Sequence, residues 1–270
     1  MKNINNQRGF TLIEMIIAAG ATVIIIGSAL SVYLTQHKHM IVQDQISEMQ
    51  QNVRAGIEEL TIITRMAGYN VPVGLEAITA YNTNPDTIEV NYDGGIIDGV
   101  SIDHEMPDVS SELRCIGDIS SLSEGDWLYI YDPVAEIGEY FEATEIQLSP
   151  AHIQHNTMPL SHRYPAGSMV IVLENVKYFI DNTTDPDNPR LMVKKMGEAP
   201  QIYADNITDL QFQYVLSSGA VVDVPPTSDM VREVIINISG RTERRDPEFN
   251  NEYRTRDLQT KVKVRNIGIN

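Results

Sequence analysis

The apolar stretch from Met15 to Leu34 constrains the fold of this chain more than any other feature. It contains no charged residue. A helix rises about 1.5 Å per residue, so a segment of this length covers about 30 Å, the thickness of a bilayer's hydrocarbon core. The sequence therefore predicts a membrane-spanning helix. Lys2 and Arg8 precede the stretch and Lys38 follows it, which favours a cytoplasmic N-terminus.

The order of the parts differs from that of a secretory signal, in which the cleavage site follows the apolar region. Here a polar leader, residues 1–9, ends in Gly9 immediately before Phe10. A cut between Gly9 and Phe10 would leave the whole helix on the mature protein. Glu14 is also unusual, because a carboxylate near the bilayer costs about 2.5–3.5 kcal/mol on insertion scales and requires a partner.

The polar leader, the Gly9–Phe10 junction, Thr11-Leu12 and Glu14 together resemble the type III signal of the type IV pilin superfamily. The resemblance implies that a prepilin peptidase cuts after Gly9 and methylates Phe10. It also implies that Glu14 pairs with the terminal amine of a neighbouring subunit, since both groups lose water in an apolar helix bundle. The alternative is an uncleaved signal anchor whose Glu14 reaches the cytoplasmic interface.

A second helical pattern continues beyond Leu34. Apolar residues recur there at steps of three or four with polar residues between them, which predicts one apolar helix face that packs on a globular domain. This face consists of Val42, Ile46, Met49, Val53, Ile57, Leu60, Ile63 and Ala67. Gly68 and Pro72 predict the helix end, so the helix would be about 85 Å long. A coiled-coil stalk is the alternative for this stripe.

Short alternating segments replace the helical period from about Val73 onward. Strands joined by loops without crossover helices predict antiparallel sheets. The predicted strands lie at 88–92, 127–131, 140–146, 169–173, 176–180 paired with 191–193, 210–214, 234–238 and 262–264. Residues 93–124 and 146–168 are predicted to be loop-rich.

The fold class predicted is therefore α+β: a long N-terminal α-helix, transmembrane and then amphipathic, packed on an antiparallel β-sheet head domain. The predicted regions are a leader peptide at 1–9, a transmembrane and filament-core half of the helix at 10–34, an amphipathic half at 35–68 and the head at 69–270.

A narrower resemblance lies at the predicted helix end, where Arg65-Met66-Ala67-Gly68-Tyr69 is similar to the Arg-x-Ala-Gly-Tyr signature of PilW-type minor pilins. Shorter matches occur at 176–180, 207–214, 231–234 and 265–266. The resemblance implies a minor pilin that primes pilus assembly near the fibre tip. It also implies four kinds of partner: the prepilin peptidase, other minor pilins, the major pilin and the inner-membrane assembly platform. A J-type pseudopilin of type II secretion is the alternative.

The net charge of −17 is unevenly distributed. Residues 69–231 carry 26 acidic and 6 basic side chains, whereas residues 232–270 carry 6 acidic and 9 basic ones. The overall sign disfavours binding to nucleic acid. The basic residues between Arg232 and Arg265 nevertheless keep a DNA-uptake receptor open as a hypothesis, and an adhesin with an uncut anchor is another.

Few residues suggest metal or catalytic chemistry. Asp181, Asp185 and Asp187 crowd one loop and could hold calcium, although such residues are also common in hairpin turns. His152 and His155 suggest zinc, but the prolines around them disfavour a helix and predict a surface loop. The single cysteine excludes an intrachain disulfide, and the catalytic motifs of hydrolases and phosphate-binding loops are absent from the sequence. The sequence predicts a non-enzyme without a cofactor, and calcium at this loop is the alternative that stays open.

Overall fold

The computed structural model describes residues 10–267 and has the predicted fold class, a long helix followed by antiparallel sheets. The helix, α1, runs from Leu12 to Met66. Sixteen strands follow in the described part of the chain: β1 Ile78–Tyr81, β2 Thr87–Asp93, β3 Ser101–Ile102, β4 Leu113–Ile116, β5 Trp127–Asp132, β6 Ile137–Glu142, β7 Glu145–Leu148, β8 Ala151–Gln154, β9 Met169–Ile171, β10 Leu173–Asp181, β11 Arg190–Lys195, β12 Gln201–Asp205, β13 Ile207–Leu216, β14 Val221–Val222, β15 Val231–Arg241 and β16 Thr255–Lys263.

Helix α1 ends where the sequence predicts. The Ala67 N–H donates to the Ile63 carbonyl, and Gly68 then adopts a positive φ of 77°. A β-carbon at Gly68 would lie 2.8 Å from Ile267 Cγ1. Glycine is therefore required here both for the left-handed turn and for the close approach of the C-terminal segment.

The body of the head combines α1 with two antiparallel sheets. One sheet has the strand order β1-β2-β10-β11-β12 and the other the order β14-β13-β15-β16. The predicted hairpin is confirmed, with Tyr178 opposite Val193 and Ile180 opposite Leu191. The buried apolar side chains of α1 and of both sheets form one core.

Two glycines allow α1 to approach β15 closely. A β-carbon at Gly56 would lie 2.6 Å from Ile238 Cδ1, and one at Gly240 would lie 2.4 Å from Val53 Cγ2. Both distances are too short for a real contact, so this crossing depends on the absence of side chains. The amphipathic half of the helix is thereby held directly against the sheet.

Residues 94–172, which we call the inserted module, interrupt the first sheet. Strands β2 and β10 pair directly, with Asp93 opposite Leu173, and the chain between them forms a separate sheet of order β6-β5-β9-β3-β4-β8-β7. This sheet has its own apolar core. Its edge strands β6 and β7 are separated only by Ala143 and Thr144, so the sheet must curl to bring its edges together at one corner.

The module corrects the prediction that residues 93–124 and 146–168 are loop-rich. Strands β3 and β4 lie in the first of these segments and β7 and β8 in the second. Ile102, Leu113 and Ile153 from these strands are buried in the module's core. The strands have two to four residues each, which is too short to display an alternating pattern. The predicted strand at 140–146 is likewise divided between β6 and β7.

The inserted module joins the body beside the C-terminal end of α1. The Gly68 N–H donates to the Asn91 carbonyl, and the Asp93 N–H donates to the Tyr69 carbonyl. A small apolar cluster that includes Tyr129 and Leu173 packs on the chain just beyond the helix. The module therefore lies at the end of the head farthest from the apolar half of α1.

Candidate assembly site

The N-terminal end of α1 is open and is organised by a capping box. Phe10 precedes the helix and is 87% exposed, and Thr11 is the extended N-cap residue. Gly9, the residue predicted to precede the cut, lies outside the described residues. The structure thus presents Phe10 on an accessible chain segment immediately before the first helical turn.

Glu14 and Thr11 bind each other reciprocally. The Thr11 N–H and hydroxyl donate to Glu14 Oε2 at 2.8 and 2.9 Å, and the Glu14 N–H donates to Thr11 Oγ1 at 3.3 Å. A carboxylate in this position also interacts favourably with the positive end of the helix dipole. The carboxylate is therefore held at the helix start, next to Phe10.

Within the part of the chain that the structure describes, no contact buries the apolar half of α1. Its side chains from Leu12 to Leu34 are exposed, and by length and composition the helix can cross a membrane. The hydroxyls of Thr22 and Ser28 donate to carbonyls four residues earlier, which satisfies these polar groups within the apolar segment. An apolar surface this large requires a lipid or protein cover.

The predicted helix-to-head face lies against the sheets along most of its length. The residues buried in the body's core are Met49, Val53, Ile57, Leu60, Ile63 and Ala67. Ile46 is half-buried and packs against that core, and Val42 is half-buried beside the loop that connects β15 and β16. The face therefore extends over about seven turns, from Val42 to Ala67, and is buried from Met49 onward.

A polar anchor on the same helix escaped the sequence analysis. The Tyr178 hydroxyl donates to Glu59 Oε1 at 2.5 Å, and the Tyr203 hydroxyl donates to Glu59 Oε2 at 3.3 Å. Burial and the bond to Glu59 raise the pKa of Tyr178 well above its usual range, so the phenol remains a neutral donor. A glutamate among polar helix residues gives no sequence signal for this role.

Three of the segments that resemble the PilW signature, 65–69, 231–234 and 265–266, lie close together at the C-terminal end of α1. The Asn266 side chain donates to the Arg65 carbonyl at 3.3 Å. Arg232 Nη1 donates to the Ile267 carbonyl at 3.4 Å, and the Val264 N–H donates to the Arg232 carbonyl. The C-terminal segment is thus tied both to the last helical turn and to the start of β15.

The predicted calcium residues form turns. Asp181 Oδ1 accepts bonds from the backbone N–H groups of Thr184 and Thr183, which hold the pKa of this carboxyl below its usual range. Asp185 accepts a bond from the Asp187 N–H at 3.2 Å. Within residues 10–267, no three His, Cys, Asp or Glu side chains are grouped as a metal site requires. Calcium binding at this loop stays an untested alternative.

The prediction of a surface loop for His152 and His155 is wrong. His152 lies in β8, is buried, and accepts a bond from Arg114 Nε at 3.0 Å. His155 is also buried, with Nε2 at 2.8 Å from the Ser111 carbonyl oxygen. His152 therefore links β8 to β4, and His155 links the end of β8 to the segment before β4. A four-residue strand does not reveal these roles in the sequence.

Residues 4–30 match the family model described as the prokaryotic N-terminal methylation motif. The match supports a type IV pilin-like protein. It spans Gly9, Phe10 and Glu14, and together with the apolar helix it indicates a membrane-anchored protein. The chain matches no curated protein.

Proposed function

We propose that this protein is a minor pilin of a type IV pilus. The observation that carries the proposal is the open start of α1, where Phe10 and Glu14 precede an uncharged, exposed half-helix within the matched motif. The precursor would sit in the inner membrane with a cytoplasmic N-terminus and a periplasmic head. A prepilin peptidase would cut after Gly9 and methylate Phe10, and the mature protein would move into a fibre at the cell surface.

The Glu14 carboxylate would then exchange its hydrogen-bond donors within the chain for a donor on a neighbouring subunit. In the isolated chain its carboxylate accepts uncharged donors from Thr11. The Phe10 ammonium of a neighbouring subunit would offer a charge-assisted bond, worth about 1.5–3 kcal/mol against about 0.5–1.5 kcal/mol for a neutral one. The ammonium would therefore displace the intrachain donors and select one register between stacked helices.

A place near the fibre tip is supported by the PilW-like pieces that converge at the end of α1. By the same resemblance, a subunit that retains Glu14 has another subunit above it to pair with. The partners proposed are the prepilin peptidase, other minor pilins, the major pilin and the inner-membrane assembly platform. A structural role of this kind needs no catalytic group.

Mass spectrometry of the mature N-terminus tests the processing step. We expect the purified protein to begin at a methylated Phe10 and to retain the apolar segment. Material that begins at Met1 would contradict the proposal and favour an anchored adhesin, and loss of the apolar segment would contradict both.

Substitution of Glu14 tests the assembly step. We expect Glu14→Ala to leave membrane insertion intact and to reduce the number of fibres. Glu48→Ala is the matched control, since it removes the same charge from an exposed position on the same helix outside the apolar segment. Normal fibre number in the Glu14 variant would refute the assignment.

Gene deletion separates a pilus subunit from a secretion pseudopilin, which would use the same motif and helix. We expect deletion to abolish or reduce surface pili while secretion of exported enzymes continues. The opposite result would assign the chain to type II secretion.

A further inference from the structure

The loop at 242–254, which connects β15 to β16, lies against α1 just beyond the apolar segment. A cavity of about 320 Å³ separates the loop from the helix. The residues that line it include Lys38, Ile41 and Val42 from the helix and Arg244, Arg245 and Pro247 from the loop. Its walls are thus apolar side chains, the aliphatic parts of three cationic ones and the side chains of two acidic residues, Asp246 and Glu248.

The height of this cavity along α1 corresponds to the headgroup layer of a membrane. Lys38 lies four residues, about 6 Å, beyond Leu34, and headgroups extend about 5–8 Å on each side of the hydrocarbon core. The rings of Tyr33 and His37 stack with centroids 6.0 Å apart at the same level. Aromatic side chains concentrate at this boundary in membrane proteins.

Two acidic residues of the loop, Asp246 and Glu248, line the cavity. Asp246 is buried and accepts a bond from Arg254 Nη2 at 2.8 Å. Glu248 Oε2 lies 3.5 Å from His39 Nδ1. Arg254 therefore neutralises Asp246, whereas Glu248 keeps its negative charge beside a neutral His39. The three cations that line the cavity, Lys38, Arg244 and Arg245, still outnumber this one unneutralised carboxylate.

The guanidinium groups of Arg244 and Arg245 remain accessible to an anion. The Arg244 side chain is 72% exposed, and its Nε lies 3.9 Å from the nearest carboxylate oxygen found for it, that of Glu243. Arg245 lies over the Tyr253 ring and donates one long bond to the Asn251 carbonyl. Neither arginine is held in a short bidentate ion pair within the described residues.

We propose that this loop and the helical turn Lys38–Val42 bind the phosphate of an anionic phospholipid in the outer leaflet of the inner membrane. The arginines and Lys38 contact the phosphate, while Ile41, Val42 and Pro247 contact the glycerol and the first methylene groups. Phe249, 40% exposed on the same loop, adds an aromatic contact at the interface. The bound lipid fixes the distance of the head from the membrane before the protein is extracted into a fibre. This inference rests on the proposed membrane anchoring.

The test compares the full chain in nanodiscs of phosphatidylcholine with nanodiscs that also contain phosphatidylglycerol. Backbone hydrogen exchange in residues 242–254 is the measurement. We expect slower exchange in the anionic discs, no such difference in the inserted module, and loss of the difference at 1 M salt, where charges are screened beyond about 3 Å. Each cation near an anionic surface strengthens binding roughly five-fold, so Arg244→Gln/Arg245→Gln is expected to weaken docking roughly 25-fold.

Two further variants control for folding and for net charge. Arg244→Lys/Arg245→Lys keeps both charges and is expected to retain most of the slowing. Arg163→Gln/Lys194→Gln removes two exposed charges elsewhere on the head and is expected to behave as the unmodified protein. Unchanged exchange in the rest of the head shows that the arginine variants still fold.

The outcomes separate this inference from the proposed function. Equal exchange in the two kinds of disc would overturn the lipid site alone, because the chain would still be anchored. Slowing by inorganic phosphate in phosphatidylcholine discs would assign the site to a free anion and would also overturn it. A chain that enters neither kind of disc would overturn the anchoring as well.

Discussion

The contact of Glu59 with Tyr178 makes the attachment of the helix to the head measurable. Tyr178 is 1% exposed, so truncation by Glu59→Ala leaves a buried hydroxyl without its acceptor. An unsatisfied buried donor costs about 1–3 kcal/mol, and alanine returns a few tenths of a kcal/mol through helix propensity. Tyr203 is 37% exposed and can turn to water. The variant is therefore expected to be about 1–2.5 kcal/mol less stable.

Urea unfolding of the full chain in detergent micelles measures this change, with near-ultraviolet circular dichroism as the signal for the head. Glu58→Ala is the control, because Glu58 is exposed on the neighbouring helix position and should change the free energy of unfolding by no more than about 0.5 kcal/mol. Equal effects of the two substitutions would show that the anchor contributes nothing.

A double-mutant cycle with Tyr178→Phe isolates the pair. We expect a coupling energy of about 1–2 kcal/mol between Glu59→Ala and Tyr178→Phe, because removing either partner already removes the bond. Additive effects to within about 0.5 kcal/mol would refute the reasoning. The result bears on the proposed function, in which force on the helix during extraction from the membrane would pass through this interface to reach the head.

Four further outcomes are expected. Burial raises the pKa of Asp86, so ionisation of this carboxyl lowers the stability of the fold as pH rises through that pKa. Asp86→Asn should therefore increase the melting temperature at pH 7 and flatten its dependence on pH above about 4, the unfolded value. Burial raises the pKa of Tyr92 and Tyr129 to about 12, so unfolding titrations should show stability falling as pH increases above about 10, the unfolded value. Gly240→Ala places a methyl group 2.4 Å from a helix side chain and should lower the free energy of unfolding by about 1–3 kcal/mol, whereas an unchanged value would mean that the helix can shift. Because the Asp181 carboxylate already accepts three bonds in its own turn, adding a chelator should leave the melting temperature unchanged; a decrease would establish calcium binding.

The elements that sequence reasoning located share a simple property, which is that their signal lies in consecutive residues. Helix α1 repeats the same period over many turns, and Gly68 marks its end. The hairpin of β10 and β11 combines two alternating runs with a turn between them. Such local patterns predict an element reliably because each residue in the run independently indicates the same secondary structure.

The elements that it missed depend on residues far apart in the chain. Pairing of Asp93 with Leu173 across the whole inserted module has no local signal, and neither does the bond between Glu59 and Tyr178. Strands as short as β3 offer too few positions for a period to appear. The burial of His152 follows from strands packed around it rather than from its neighbours in sequence.

The amino-acid sequence alone determined that one contiguous apolar segment avoids water and that a motif for processing precedes it. The free energy of transferring such a segment from water to a membrane depends on the summed apolar surface of adjacent residues, so it can be assessed without knowing the fold. Only the tertiary structure decided that the inserted module lies far from that segment and that Arg244 and Arg245 lie close to it. The reason is that sheet pairing brings together residues separated by hundreds of positions, and the resulting distances set which charges can meet a membrane.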